Sequence, residues 1–134
     1  MPRRKQKRHI EQPPIIDGFK PFGLPLKDLE PAVLLYEEYE AIRLSDYEGL
    51  THEQGALAMK VSRPTYTRIY EQARQTIAKA LVEGKAIVIE GGNFYTDKNW
   101  YKCNHCKKLN ICECEQKSCN YCQKESLRLL NNIE

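Results

Sequence analysis

Between Thr51 and Leu81 the chain carries two helix-start signals separated by a short turn, a spacing that few folds accommodate. Thr51 is followed three residues later by Gln54, the capping-box arrangement in which hydroxyl and amide satisfy free backbone donors at a helix start. A helix is therefore expected from Thr51 through Gly55, Ala56, Leu57 and Met59, with Ala56 small enough to let a neighbouring helix approach. Lys60-Val61 makes the turn. Ser62 is the next N-cap, and Pro64 sits in the first turn of the following helix, where its missing donor costs nothing. Tyr66, Ile69, Tyr70, Ala73, Ile77, Ala80 and Leu81 then recur at steps of three and four, an apolar stripe expected to face inward. The segment from 51 to about 82 reads as a helix-turn-helix.

Opposite that stripe stand Arg63, Thr67, Arg68 and Glu71, and the N-terminal residues of a recognition helix are those that meet base edges. Arg63 and Arg68 are the candidate readers, since a guanidinium matches the paired acceptors of guanine at about 1 to 3 kcal/mol of discrimination per good contact. Thr67 suits thymine or phosphate, while Ser62, Pro64 and Thr65 form the helix start, with Ser62 and Thr65 as caps or phosphate contacts. An ordinary pair of core helices with a solvated polar face is the alternative. The coincidence of caps, small residue, turn valine and basic outer face favours a reading helix. Lys60 stands where such turns usually carry glycine, and a positive φ there would be costly.

The formal net charge is only +3, yet Arg3, Arg4, Lys5, Lys7 and Arg8 crowd the N-terminus. Such a run is attracted to nucleic acid through counterion release. With Pro2, Pro13, Pro14, Pro21 and Pro25, residues 1–25 read as a basic, proline-rich arm that passes over the fold and reaches phosphate or the minor groove. From Leu34 the spacing of Leu35, Tyr39, Ala41, Ile42 and Leu44 predicts a helix stopped at Gly49. Ala86-Ile87-Val88-Ile89 predicts a strand that turns at Gly91-Gly92 into Asn93-Phe94-Tyr95 as a small hairpin. A boundary is expected near residue 98, so that residues 26–98 form the helix-turn-helix domain and 99–134 a separate module. No apolar run approaches the roughly 20 residues that span a bilayer, and the basic start leads into Gln12-Pro13-Pro14 instead of a signal core, which points to the cytoplasm.

All six cysteines lie between Cys103 and Cys122. Cys103-x2-Cys106 and Cys119-x2-Cys122 are two knuckles with the spacing of a zinc ribbon, and four thiolates close a tetrahedron with no position left for chemistry. A module with Leu109, Ile111 and little else apolar has no adequate core of its own, whereas structural zinc contributes roughly 10 to 16 kcal/mol. An iron–sulfur cluster is the alternative occupant and would make the protein a redox or iron sensor. Cys112 and Cys114 are left over. They could exchange into the site, share a second ion, or act as redox-active thiols. His105 reads as a linker residue, and His9 and His52 as surface residues. Lys102, Lys107, Lys108 and Lys117 read as solvated surface, while Tyr95, Trp100 and Tyr101 read as packing residues more than as a stacking platform for bases. Leu127, Leu129, Leu130 and Ile133 suggest a short terminal helix.

The chain resembles a family of small prokaryotic proteins catalogued as domain of unknown function 134, whose helix-turn-helix is like that of sigma-factor region four. The resemblance covers residues 1 to about 96. It rests on Met1-Pro2-Arg3, Phe22-Gly23 with Pro25-Leu26, Glu38-Tyr39-Glu40-Ala41-Ile42-Arg43-Leu44 with Asp46 and Glu48-Gly49-Leu50, Val61-Ser62-Arg63-Pro64-Thr65-Tyr66, and Glu83-Gly84-Lys85-Ala86 to Glu90-Gly91-Gly92. It implies a DNA-binding protein with no established reaction. In that pattern Gly55 replaces an alanine, which implies a less rigid first helix.

The sequence thus predicts a mainly α protein: a helix-turn-helix domain with a small β-hairpin and a cysteine-rich metal module. Its expected role is transcription regulation through double-stranded DNA, as a monomer or a homodimer. A metal-dependent protein-interaction module or a redox-sensing regulator are the alternatives. No phosphate-binding glycine loop, no nucleophile with a partner histidine and no carboxylate pair suggests an enzyme or a small-molecule substrate.

Overall fold

The computed structural model describes residues 7–25 and 30–131, and the chain divides into two compact units, Met1–Phe94 and Tyr95–Glu134. The fold is mixed α/β and not mainly α, because three helices share the chain with several small sheets. Apart from the strands at Ile87–Ile89 and Phe94–Tyr95, which the sequence does suggest, the strands escape a sequence reading because most are two or three residues long, too short for alternation to register.

In the first unit, β1 (Arg8–His9), β2 (Gly18–Phe19) and β3 (Ala32–Leu34) precede α1 (Tyr36–Ile42), α2 (His52–Met59) and α3 (Arg63–Glu83), and β4 (Ile87–Ile89) follows. β4 is the centre of a three-stranded sheet. It runs antiparallel to β2 with Gly18 opposite Val88, and parallel to β3 with Val33 opposite Val88. A Cβ at Gly18 would lie 1.8 Å from the Ile87 carbonyl oxygen, so only glycine lets β2 come this close. The expected hairpin after Ile89 does not form. Gly91 and Gly92 do turn the chain, but Tyr36 N–H donates to the Gly91 carbonyl at 3.1 Å and Asn93 N–H to Glu37 Oε1 at 2.8 Å. The turn is tied to the start of α1, and β5 (Phe94–Tyr95), whose first residue closes the unit, pairs with β1 instead.

The N-terminal segment belongs to the fold from Arg8 onward. Ile10 is 1% exposed and Pro13 and Pro14 are buried. Two buried ion pairs hold this stretch: Arg8 to Glu37 at 3.3 Å, and Glu40, which accepts the Glu11 N–H at 2.7 Å and the Arg43 Nε–H at 2.6 Å. Arg43 also reaches Glu48 at 3.0 Å and Glu11 at 3.6 Å. It belongs to a π-helical turn (Arg43–Tyr47), closed by Glu48 N–H to the Arg43 carbonyl at 2.9 Å, before Gly49 at φ 77° ends the helical path. Ala41, Leu44, Ala56, Met59, Tyr66 and Ile69 form the core between these turns and the helix pair. The inward stripe of α3 holds through Ala80. Leu81, expected inside, is 81% exposed, because it lies one residue, about 100° around the helix, from the buried Ala80.

In the second unit, β6 (Asn99–Cys103) is flanked antiparallel by β7 (Leu109–Cys112) and β8 (Leu127–Leu129). β8 replaces the expected terminal helix: β6 needs a partner along its second edge, and the Leu-Arg-Leu alternation suits a strand as well as a helix turn. Ile133 lies outside the described residues. Trp100 and Tyr101 are 1% and 8% exposed, so neither offers a face for stacking. Lys102, expected at the surface, is 6% exposed. Among the described residues no helix is long and apolar enough to cross a membrane.

Candidate metal centre and nucleic-acid interface

Two knuckles of the same construction build the four-cysteine cluster. In the first, Cys103 N–H donates to the Lys108 carbonyl and Lys107 N–H to the Cys103 carbonyl, each at 3.0 Å. In the second, Cys119 and Lys124, and Gln123 and Cys119, repeat both bonds at 3.0 Å. Lys107 and Gln123 take left-handed conformations at φ 65° and 66°. Each such turn points two thiols the same way. A signal for this was present: Cys103-Asn-His-Cys-Lys-Lys and Cys119-Asn-Tyr-Cys-Gln-Lys share four of six positions.

The four sulfur atoms lie within 4.8 Å of one another, with Cys103 to Cys122 and Cys106 to Cys119 at 3.6 Å. A tetrahedral ion at a zinc–sulfur distance near 2.3 Å requires edges of about 3.8 Å, so these residues could hold a metal ion. The surroundings favour a thiolate at Cys103 and Cys119, whereas at Cys106 the Lys108 N–H is outweighed by burial and the neighbouring Cys119, Cys103 and Cys122 thiols, which push it up to about 11. The Ser126 hydroxyl at 3.2 Å and the Cys106 N–H at 3.4 Å lower Cys103 from the ordinary thiol value to about 5. At Cys119 burial opposes ionisation, but the Cys122 and Tyr121 N–H groups and the Asn110 amide outweigh it, so its pKa is also lowered. His105 is exposed and stands outside the cluster, as do Cys112 and Cys114.

The second candidate site is the helix pair. Thr51 accepts the Gln54 N–H at 3.2 Å while Gln54 Oε1 accepts the Thr51 N–H at 2.9 Å, the capping box expected from sequence. Lys60 closes α2 in a left-handed conformation at φ 55°. Gly55 departs from its expected role: a Cβ there would lie 2.3 Å from Tyr66 Cζ, so this position seats the buried Tyr66 ring and glycine tightens the packing. Tyr66 donates its hydroxyl to the Ala41 carbonyl at 3.1 Å and is hydrogen-bonded to Ser45.

α3 presents Arg63, Pro64 and Arg68 at its exposed start. Ser62 is exposed and acts as the cap, accepting the Thr65 N–H at 3.3 Å and donating to Thr65 Oγ1 at 2.9 Å. Thr65 and Thr67 are half-buried, and Thr67 is hydrogen-bonded to His52 Nδ1 at 2.9 Å. His52 is therefore not a surface residue; it packs edge-on against Tyr70 and Tyr66 at 4.9 and 5.5 Å. His9 is likewise half-buried, donating from Nδ1 to the Ala58 carbonyl at 3.2 Å. Sequence reasoning missed the His52–Thr67 bridge because the pair is fifteen residues apart in separate helices. Of the basic run, Arg3, Arg4 and Lys5 lie outside the described residues and Lys7 is exposed. Arg8 is 9% exposed and paired with Glu37, which takes it away from any phosphate.

Fold and sites together define a mixed α/β unit, in which two helices meet at a tight turn, joined in sequence to a unit whose four cysteines could hold a metal ion. The chain belongs to the family described as protein of unknown function DUF134, whose model matches residues 1–97. It is similar to a UPF0251 protein of Halothermothrix orenii, 48% identical over 106 residues covering 79% of this chain and 78% of the relative. A UPF0251 protein of Chloroherpeton thalassium is 42% identical over 129 residues, 95% of this chain and 85% of its own. One from Caldanaerobacter subterraneus is 55% identical over 94 residues, 70% and 80% of the two chains. No solved structure matches.

Proposed function

We propose that this protein is a sequence-specific DNA-binding protein, a transcription regulator of the cytoplasm that reads the major groove with the helix from Ser62 to about Val82. The observation that carries the reading is the start of α3. Arg63 and Arg68 stand exposed on the first turns of a helix fixed by its Ser62 cap and the Tyr66 seat, with the cation of Lys60 exposed on the turn before it. Base edges are met from such positions, and rigid presentation of a planar guanidinium gives discrimination. Ser62, Pro64 and Thr65 set the helix start, and Thr67 is held by His52. Arg3, Arg4, Lys5 and Lys7 add phosphate contacts that raise affinity without reading sequence.

Structural zinc in Cys103, Cys106, Cys119 and Cys122 is the occupant that the closed four-thiol geometry suits best. The six free thiols of the chain suit a reducing compartment. A colourless protein carrying one zinc per chain supports the assignment; the visible absorption of an iron–sulfur cluster overturns it.

The test is recovery of fragments of the source genome by purified, metal-loaded protein at near-physiological salt, followed by sequencing. A shared motif is expected, with palindromy marking a homodimer. The double variant Arg63→Ala/Arg68→Ala should lose the enrichment while keeping its fold. Recovery without a motif, fading as salt rises, would overturn sequence-specific readout.

A further inference from the structure

We propose that Cys112 and Cys114 form a second thiol site, separate from the four-cysteine cluster: a dithiol that small disulfides such as oxidised glutathione convert into an intramolecular disulfide, and that small thiols convert back. Residues two apart on a strand project to the same face. Here β7 ends at Cys112 and the chain bends at Glu113 and Cys114, which closes the distance between the two sulfurs to 3.9 Å. The bend has a fixed base: Asn99, opposite Cys112 in the β6–β7 register, donates its side-chain N–H to the Cys114 carbonyl at 3.2 Å, and the Cys112 thiol donates to the same carbonyl. Cys114 is exposed and Cys112 half-buried, so a small disulfide has access. The hydrogen bond to Cys112 raises the Cys114 pKa, in keeping with direct contact of the sulfurs.

Two observations separate this pair from the metal site. Asn99 and Cys103 mark opposite ends of β6, and at about 3.4 Å per residue the open end carrying Cys112 stands roughly 14 Å from the closed end carrying Cys103 and Cys106. Cys112 is held away from the cluster by its place in the β6–β7 pairing, and Cys114 by the Asn99 bond to its carbonyl. Among the described residues, no third cysteine, histidine or carboxylate joins Cys112 and Cys114 in a metal-ligand group. Two thiols alone do not complete the four-coordinate shell of structural zinc.

The chemistry balances as ordinary exchange. One protein thiolate attacks a sulfur of oxidised glutathione, forming a mixed disulfide and expelling one glutathione thiolate. The second protein thiolate attacks the protein sulfur of that mixed disulfide, forming the Cys112–Cys114 bond and expelling the second glutathione. Two protein thiols are oxidised, one glutathione disulfide is reduced to two thiols, and the two protons pass to the expelled thiolates. Sulfurs already in contact make the second step effectively unimolecular, so closure outruns accumulation of the adduct. Exposed disulfides of this kind belong to the labile, regulatory class.

The experiment treats the full-length, metal-loaded protein with oxidised glutathione, then maps its peptides by mass without reduction while metal content is measured. Expected is the loss of two hydrogens on the peptide carrying Cys112 and Cys114, with metal retained and the change reversed by dithiothreitol. Cys112→Ser and Cys114→Ser should each trap one glutathione on the remaining cysteine, and the double variant should keep its metal. The proposal is overturned if both thiols stay alkylatable, if the wild type accumulates a stable glutathione adduct, or if oxidation falls on the cluster cysteines and releases the metal.

Discussion

The two units are held together by different means. Residues up to Phe94 enclose a core of Ala41, Leu44, Ala56, Met59, Tyr66 and Ile69, braced by Glu40–Arg43 and Arg8–Glu37. Residues from Tyr95 bury Trp100 and Tyr101, but the other apolar positions at their centre are the cysteines Cys103 and Cys119. The first unit is stabilised by side chains that were always going to be inside. The second gathers four cysteines that could hold a metal ion, and an ion bound there would neutralise the thiolates and tie both knuckles together. A ligand should therefore govern one unit and leave the other untouched.

Removing that ligand is the strongest way to break the comparison. Stripping the metal with a chelator, or replacing Cys119 by serine, is expected to remove about 10 kcal/mol or more from the second unit. Amide exchange should accelerate across residues 99–129 and stay slow across 36–83; acceleration in both would overturn the division. Acid should act in the same direction. Cys103 is lowered from near 9 to about 5, so its folded form favours the thiolate. Its contribution is present above pH 9 and is lost as the pH falls through about 5. Metal release followed by a chromogenic chelator should rise on acidification, because protons compete with the ion for the thiolates.

The mirror experiment strikes the first unit. Arg43→Ala leaves Glu40, 1% exposed, with a buried charge and no guanidinium, and breaking such a pair costs about 3 to 5 kcal/mol. Denaturant melts should show the first unit weakened while metal affinity stays as it was. Gly55→Ala comes next. Its methyl meets the Tyr66 ring, and overpacking of this kind costs about 1 to 3 kcal/mol. A neutral Gly55→Ala would show that the ring has room to move and that the helix pair is looser than its geometry.

What the sequence made legible follows the same division. Thr51 with Gln54, Ser62 and Pro64 were readable because a cap acts within three residues of itself. The paired cysteine knuckles were readable for the same reason. β4 was visible as an apolar run, but its partners are β2 and β3, more than fifty residues earlier, and nothing local distinguishes that pairing from the hairpin that Gly91 and Gly92 suggest. Arg8 looked like part of a phosphate-gripping run because its neighbours are basic; only the fold brings Glu37 to it. Leu127 to Leu129 fit either a helix turn or a strand, and the open edge of β6 decided it.

The smallest expected effect lies at Lys60, where local strain and a surface charge meet. Its backbone sits at φ 55°, ψ 45°, a conformation that costs a side-chain-bearing residue roughly 1 to 2 kcal/mol and glycine almost nothing. It is retained because the turn requires it: Lys60 N–H bonds the Leu57 carbonyl at 3.2 Å and Val61 N–H the Ala56 carbonyl at 3.0 Å, which ends α2 in time for Ser62 to cap α3. Lys60→Gly should therefore raise the stability of the first unit by about 1 kcal/mol or less, since relief of strain is partly offset by the greater freedom of glycine in the unfolded chain. If the turn faces DNA as proposed, the same change should lower the salt dependence of binding by about one phosphate contact. A variant that is less stable than the wild type would mean that the lysine side chain holds the turn more firmly than its backbone strains it. The rigidity assigned to the start of α3 would then rest on that side chain and not on the caps.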